Sequence, residues 1–247
     1  MNITIRSISK RPIYLLMALA ILFGFFIVAN TPAYAAGDEA KIARGGLLYD
    51  KWFAITNGDI PRKTNVSYPE TSKKKGKNSW RCKECHGWDY QGVKGAYGDT
   101  KNSHYTGIKG ISGAVGSDPA KIVAVLKDKT HTYTDDMMNK DDFMDLALFV
   151  SKGQVDMPKY ISLDKKVKGD ASKGKDYYTT ICAGCHGLDG KKIKDMPNLG
   201  KVAQTNPWET LHKIRNGQPG EKMPALRALP VQISVDIVAH SMTLPAE

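Results

Sequence analysis

The four cysteines constrain this chain more than anything else in it. They fall in two strings 100 residues apart, Cys82-Lys83-Glu84-Cys85-His86 and Cys182-Ala183-Gly184-Cys185-His186. C-x-x-C followed at once by histidine is the attachment signature of c-type haem. Two intervening residues let one turn of chain bring both sulfurs to one edge of a porphyrin, where they add across its two vinyl groups. The next residue, histidine, is then aimed at the iron. A thioredoxin-like redox pair has no need of a trailing histidine. A structural zinc site made from two C-x-x-C pairs would leave both histidines without a role. The motifs therefore predict two covalently attached haems c, held by Cys82, Cys85, Cys182 and Cys185, with His86 and His186 as iron ligands. No thiol remains for a disulfide or a nucleophile.

Export fits this chemistry. Met1 to Arg11 carries Arg6, Lys10 and Arg11 and no acid, an apolar run follows from Ile13 to Ala29, and Ala33-Tyr34-Ala35 has the small-residue cleavage pattern. Residues 1–35 read as a secretory signal peptide, removed after Ala35, which places the protein in the periplasm. The apolar run approaches the ~20 residues of a membrane span, so a retained anchor is the competing reading. Membrane contact is expected only in that case. The formal net charge of +11 could suit nucleic acid, which an exported protein rarely meets. Redox protein partners with an acidic surface are the better expectation. The densest basic run, Lys73, Lys74, Lys75 and Lys77, reads as a solvated loop, with docking as the alternative.

The surroundings of the two motifs repeat. A helix from Ala171 to Ile181 precedes the second, carrying Tyr177 and Tyr178; one from about Glu39 to Phe53 precedes the first, with Gly45, Gly46 and Leu48 before Tyr49 and Trp52. In the first copy, residues 54–81 hold Gly58, Pro61 and Pro69 and read as a loop insertion. After each motif, Asp118-Pro119 and Asn206-Pro207 open a helix, a capping residue followed by proline at the first helical position. Each copy then closes on another helix, Lys140 to Ser151 and Val231 to Ser241. No strand is evident. The expected fold is all-α, with two tandem domains at 36–160 and 161–247, each built around one covalent haem.

Each half resembles a class I cytochrome c domain: N-terminal helix, C-x-x-C-H, loop, middle helix, axial-ligand loop, closing helix. The resemblance covers nearly all of 36–247 outside the insertion. It implies that Trp80, Trp88, Tyr90, Tyr177, Tyr178 and Trp208 pack around haem. It also implies a sixth iron ligand from the loop before the closing helix, usually methionine. In the second half Met223-Pro224 stands there, 13 residues before Asp236. Met196, also followed by proline, comes too soon after His186 and reads as packing. In the first half, counting back 14 residues from Asp145 gives His131. Met137 or Met138, and after them His104, are the alternatives. Met157-Pro158 follows its closing helix, the wrong order, and His212 and His240 fall on helices and are set aside.

The expected iron ligands are thus His86 and His131 in one half, His186 and Met223 in the other. Methionine raises a haem's potential relative to a second histidine, so electrons would run from the first haem to the second. With both irons saturated, an electron carrier, or an electron-transfer subunit of a larger enzyme, is the leading expectation. The alternative is a dihaem oxidoreductase acting on a small inorganic substrate such as a sulfur oxyanion or peroxide, and His131 in place of methionine is the feature that points that way.

Overall fold

The computed structural model describes residues 36–72 and 74–247. The leader reading for 1–35 and the residue Lys73 lie outside the described residues. In chain order the helices are α1 (Ala36–Lys51), α2 (Cys82–His86), α3 (Pro119–Leu126), α4 (Lys140–Leu148), α5 (Met157–Tyr160), α6 (Ala171–Tyr177), α7 (Ala183–His186), α8 (Leu199–Thr205), α9 (Pro207–Asn216) and α10 (Val231–Ser241). π turns extend α4 through Phe149–Gly153 and α6 through Tyr178–Cys182. Among the described residues there is no strand, only isolated bridges at Gly92–Lys109 and Ile161–Val167. The all-helical expectation agrees with this.

Helix starts follow short polar side chains that satisfy free N–H groups of the first turn. Asp118 accepts from Ala120 N, Asp170 from Ser172 N and Lys173 N, and Asn206 from Glu209 N. Asn139 forms a reciprocal capping box with Asp142.

Glycine then sets how helices cross. A Cβ on Gly45 would overlap the Asp145 carbonyl, and one on Gly174 would overlap the Asp236 carbonyl. So α1 lies close on α4, and α6 on α10, with backbone against backbone. One turn beyond each glycine, a tyrosine reaches the residue after the haem motif: Tyr49 Oη donates to Gly87 O at 2.6 Å and Tyr178 Oη to Gly187 O at 2.7 Å. The chain after each motif folds alike too. Gly92 N donates to His86 O at 2.9 Å and Lys192 N to His186 O at 3.0 Å. The two halves repeat at the level of single hydrogen bonds.

Neither half stands apart. Residues Ala36–Glu247 form one compact unit, and the buried apolar residues of both halves make a single cluster. The adjacent glycines of α1 divide the work: Gly45 lets α4 in, while a Cβ on Gly46 would strike the Asn216 side chain of α9. Where α9 meets the first half, His212 is fully buried among Tyr49, Trp88, Tyr90 and Phe149, with ring centroids 5.0–5.9 Å away. Asp50, also buried, pairs there with Arg81 of its own half and with Lys213 of α9 at 2.8 Å. Among the described residues no helix is long and apolar enough to cross a membrane.

Candidate haem sites

The first motif is a single helical turn, α2, ended by Gly87 at φ 79°. That left-handed step, unstrained only for glycine, turns the chain away directly after His86. None of the four cysteines forms a disulfide. Burial pushes Cys82 up to about 11, Cys85 up to about 12 and Cys182 up to about 11. A redox-active C-x-x-C works in the opposite direction, with a stabilised thiolate. Among the described residues no three His, Cys, Asp or Glu side chains converge on a metal-sized site, so zinc coordination by these cysteines is not assembled either.

The first site has a different geometry. The His86 and His131 rings lie close together, with centroids 6.2 Å apart and planes tilted by 33°. Two imidazoles on opposite sides of one iron, each bonded at ~2 Å, put their centroids about 6 Å apart, a spacing that follows from ordinary metal–imidazole bond lengths. Each ring commits the other nitrogen: His86 Nδ1 donates to Lys109 O at 2.7 Å and His131 Nδ1 to Val125 O at 3.0 Å. That fixes the tautomer and leaves each Nε2 lone pair for a metal. Burial lowers the His86 pKa to about 4, which keeps its ring neutral and able to ligate. The two rings and the adjacent thiols fit a covalent haem.

The alternatives to His131 are occupied elsewhere. His104 Nδ1 bonds Glu84 Oε2 at 3.1 Å and its ring stacks on Tyr97 at 4.8 Å. Met138 is buried in the core, as is Met157, and Met137 packs against that core from its edge. The insertion, invisible to motif reading, fastens the His131 loop. Asn65 Nδ2 donates to His131 O at 3.3 Å and Ser67 Oγ to Thr130 O at 2.5 Å. At the other end of that loop, Thr56 Oγ1 donates to Met137 O at 3.2 Å and Asp59 N to Asp136 O at 2.8 Å.

In the second site α7 carries Cys185 and His186, and the π turn before it carries Cys182. His186 Nδ1 is buried and, among the described residues, has no hydrogen-bond partner, unlike its counterpart in the first half. Met223 sits half-buried in the 217–230 loop and packs against the core. Met196 is half-buried in the turn before α8. Residues 171–228 match the Cytochrome c family. The matched stretch runs from the start of α6 through the second motif to the Met223 loop, and it supports a c-type cytochrome with covalently bound haem. No curated protein and no solved structure matches the chain.

Arg215 organises the 217–230 loop. Its Nη1 donates to Leu226 O and Leu229 O, both at 2.7 Å, and its Nη2 to Arg227 O at 2.9 Å. Neither Arg215, nor the Tyr90–His212 contact, nor the insertion's hold on residues 130–137 was legible beforehand. The only hint was positional: Tyr90 stands 100 residues before Gly190, the offset of the motifs themselves.

Proposed function

We propose that this chain is an exported dihaem c-type cytochrome that passes electrons between redox partners, with one haem in each of two tandem cytochrome c-like halves. Bound haem supplies one-electron exchange at its iron. The chain's own part is to hold each iron between two fixed side chains: His86 and His131 in the first half, His186 and Met223 in the second. The observation that carries this reading is the His86–His131 pair, whose ring centroids lie 6.2 Å apart, outside the matched residues 171–228. It supports a second haem where the family model is silent, and it supports a saturated iron, the state a carrier needs. An oxidoreductase acting on a small inorganic substrate would need an open position at one iron. The basic composition suits acidic redox partners, and the leader-like residues 1–35 suit a periplasmic location.

The test is the mature protein, expressed with a working haem-maturation system. Its mass should exceed the polypeptide by two haems, and its low-temperature EPR spectrum should show two low-spin ferric centres, one bis-histidine and one histidine–methionine. A mass showing a single haem, or a high-spin first centre, would remove the proposal.

A further inference from the structure

We propose that Arg227 is a positioning residue for the sixth ligand of the second haem, so that the first half of the chain holds the second half's iron ligand in place. The proposal rests on reading Met223 as that ligand.

Arg227 follows Met223 by four residues in the same loop, and its side chain is buried. Its Nε donates to Glu39 Oε2 at 3.1 Å, and its Nη1 donates to Gly153 O at 3.0 Å and to Asn216 Oδ1 at 2.9 Å. Glu39 lies on α1 and Gly153 ends the π turn after α4. Both belong to the first half. A planar guanidinium held at several points fixes orientation as well as distance, which an ammonium would not do. The same backing continues before Met223. A Cβ on Gly220 would lie 3.9 Å from Ala54 Cβ, and one on Gly217 would lie 3.4 Å from Leu47 Cδ2. The ligand loop is therefore walled by the first half on both sides of Met223. Arg215 ties the loop to α9 only through backbone carbonyls; Arg227 is the side chain that ties it across to the other half.

A thioether is a weak iron ligand, and a ligand shell works only when held within roughly half an ångström of its working geometry. Loosening the Arg227 fork should raise the fraction of time that Met223 is off the iron. An interface ion pair with only a stabilising role would change unfolding and leave ligation alone.

The test uses full-length, two-haem protein in the ferric state. In Arg227→Gln, cyanide should bind the second haem about tenfold faster, the factor expected when a charge-assisted hydrogen bond is lost. The weak long-wavelength band of methionine-ligated ferric haem should diminish, while the first haem keeps its spectrum and potential. Arg227→Lys, which keeps the charge beside Glu39 but loses the fork, should fall between. Glu39→Gln should move cyanide binding the same way by less. Wild-type band and cyanide rate in Arg227→Gln would overturn the proposal. If that variant does not mature with two haems, an unchanged rate in Glu39→Gln overturns it. Met223→Ala separates the premises: if the band survives there, Met223 is not the ligand and the proposal falls with that reading. If the band is lost there yet untouched in both Arg227→Gln and Glu39→Gln, only the positioning claim fails.

Discussion

His131 donates its Nδ1 proton to the Val125 carbonyl, which leaves its Nε2 with a lone pair. Replacing it with methionine exchanges an imidazole for a thioether, which favours ferrous iron. On the proposed two-haem reading, with His131 as a ligand, His131→Met should raise one of the two potentials in a spectroelectrochemical titration and leave the other nearly unchanged. His131→Ala should give a first haem that binds carbon monoxide. A low-spin, carbon monoxide-resistant His131→Ala protein would shift the ligand to Met137 or Met138. Tyr90 shows a different constraint. It holds φ 65° where the second half has Gly190 at φ 70°, a conformation that costs a non-glycine residue about 1 kcal/mol. Its hydroxyl donates to His212 Nδ1 at 2.8 Å, the contact that a glycine could not make. Tyr90→Phe should destabilise the protein by about 1–3 kcal/mol, because buried His212 Nδ1 loses its short donor and keeps only Asn216 Nδ2 at 3.4 Å; equilibrium denaturation of the holoprotein measures this, and a loss under a few tenths would mean the contact contributes little. The two C-x-x-C-H strings stand out in the sequence because covalent attachment would require adjacent residues. His131, whose ring the structure places near His86, was singled out only by counting back from its helix. Tyr90 and His212 meet across 122 positions, and no local pattern announces such a pair.

At the scale of elements, the helices read correctly where they are announced by caps. Asp118-Pro119 and Asn206-Pro207 mark starts that the structure keeps, since a cap is a local hydrogen bond between near neighbours. Their ends were less legible. The helix expected to run to Ser151 passes into a π turn at Phe149, and the one expected to reach Ile181 does so at Tyr178; Phe149 and Tyr178 are both fully buried, and tertiary packing carries no periodicity signal. Helix α8 was not anticipated, and it packs on residues distant in sequence, where a Cβ on Gly200 would strike the Leu244 and Pro245 carbonyls. The insertion 54–81 read as a loop, and most of it is loop. Its hold on the His131 loop runs through backbone carbonyls, which every residue possesses. The glycine crossings give the sharpest test at this scale. Gly45→Ala and Gly174→Ala each force a methyl into a helix carbonyl and should cost about 1–3 kcal/mol, as overpacking does. Gly113→Ala, whose Cβ meets nothing, is the control. Thermal unfolding of the three side by side decides it, and equal midpoints would show that the helices separate freely.

At the scale of the molecule, the two halves are joined through a neutral histidine. His212 Nε2 donates to Gly46 O at 3.0 Å while Nδ1 accepts from Tyr90, so both ring nitrogens are used and no second proton has a partner. Burial lowers its pKa to about 4; Asp50 and the Gly46 bond oppose that shift, and Lys213 and Arg227 add to it. In the unfolded chain a histidine titrates near 6.5. The folded pKa therefore lies below the unfolded one, and between the two the unfolded state binds more protons. Stability should be level above about pH 6.5 and fall as pH drops toward 4, by up to roughly 1.4 kcal/mol per unit for this one group. Carboxylates such as Asp50, whose pKa is lowered by Lys213 and Arg81 against the effect of burial, add their own loss at still lower pH. Comparison with His212→Gln isolates the histidine, because glutamine can still donate to Gly46 O but does not titrate. Denaturant midpoints of the two proteins should differ by a constant above pH 6.5, and the difference should shift in favour of His212→Gln as pH falls from 6.5 to 4.5. Parallel curves across that window would mean that His212 is protonated in the folded protein, and that the halves open at this contact before the whole molecule unfolds.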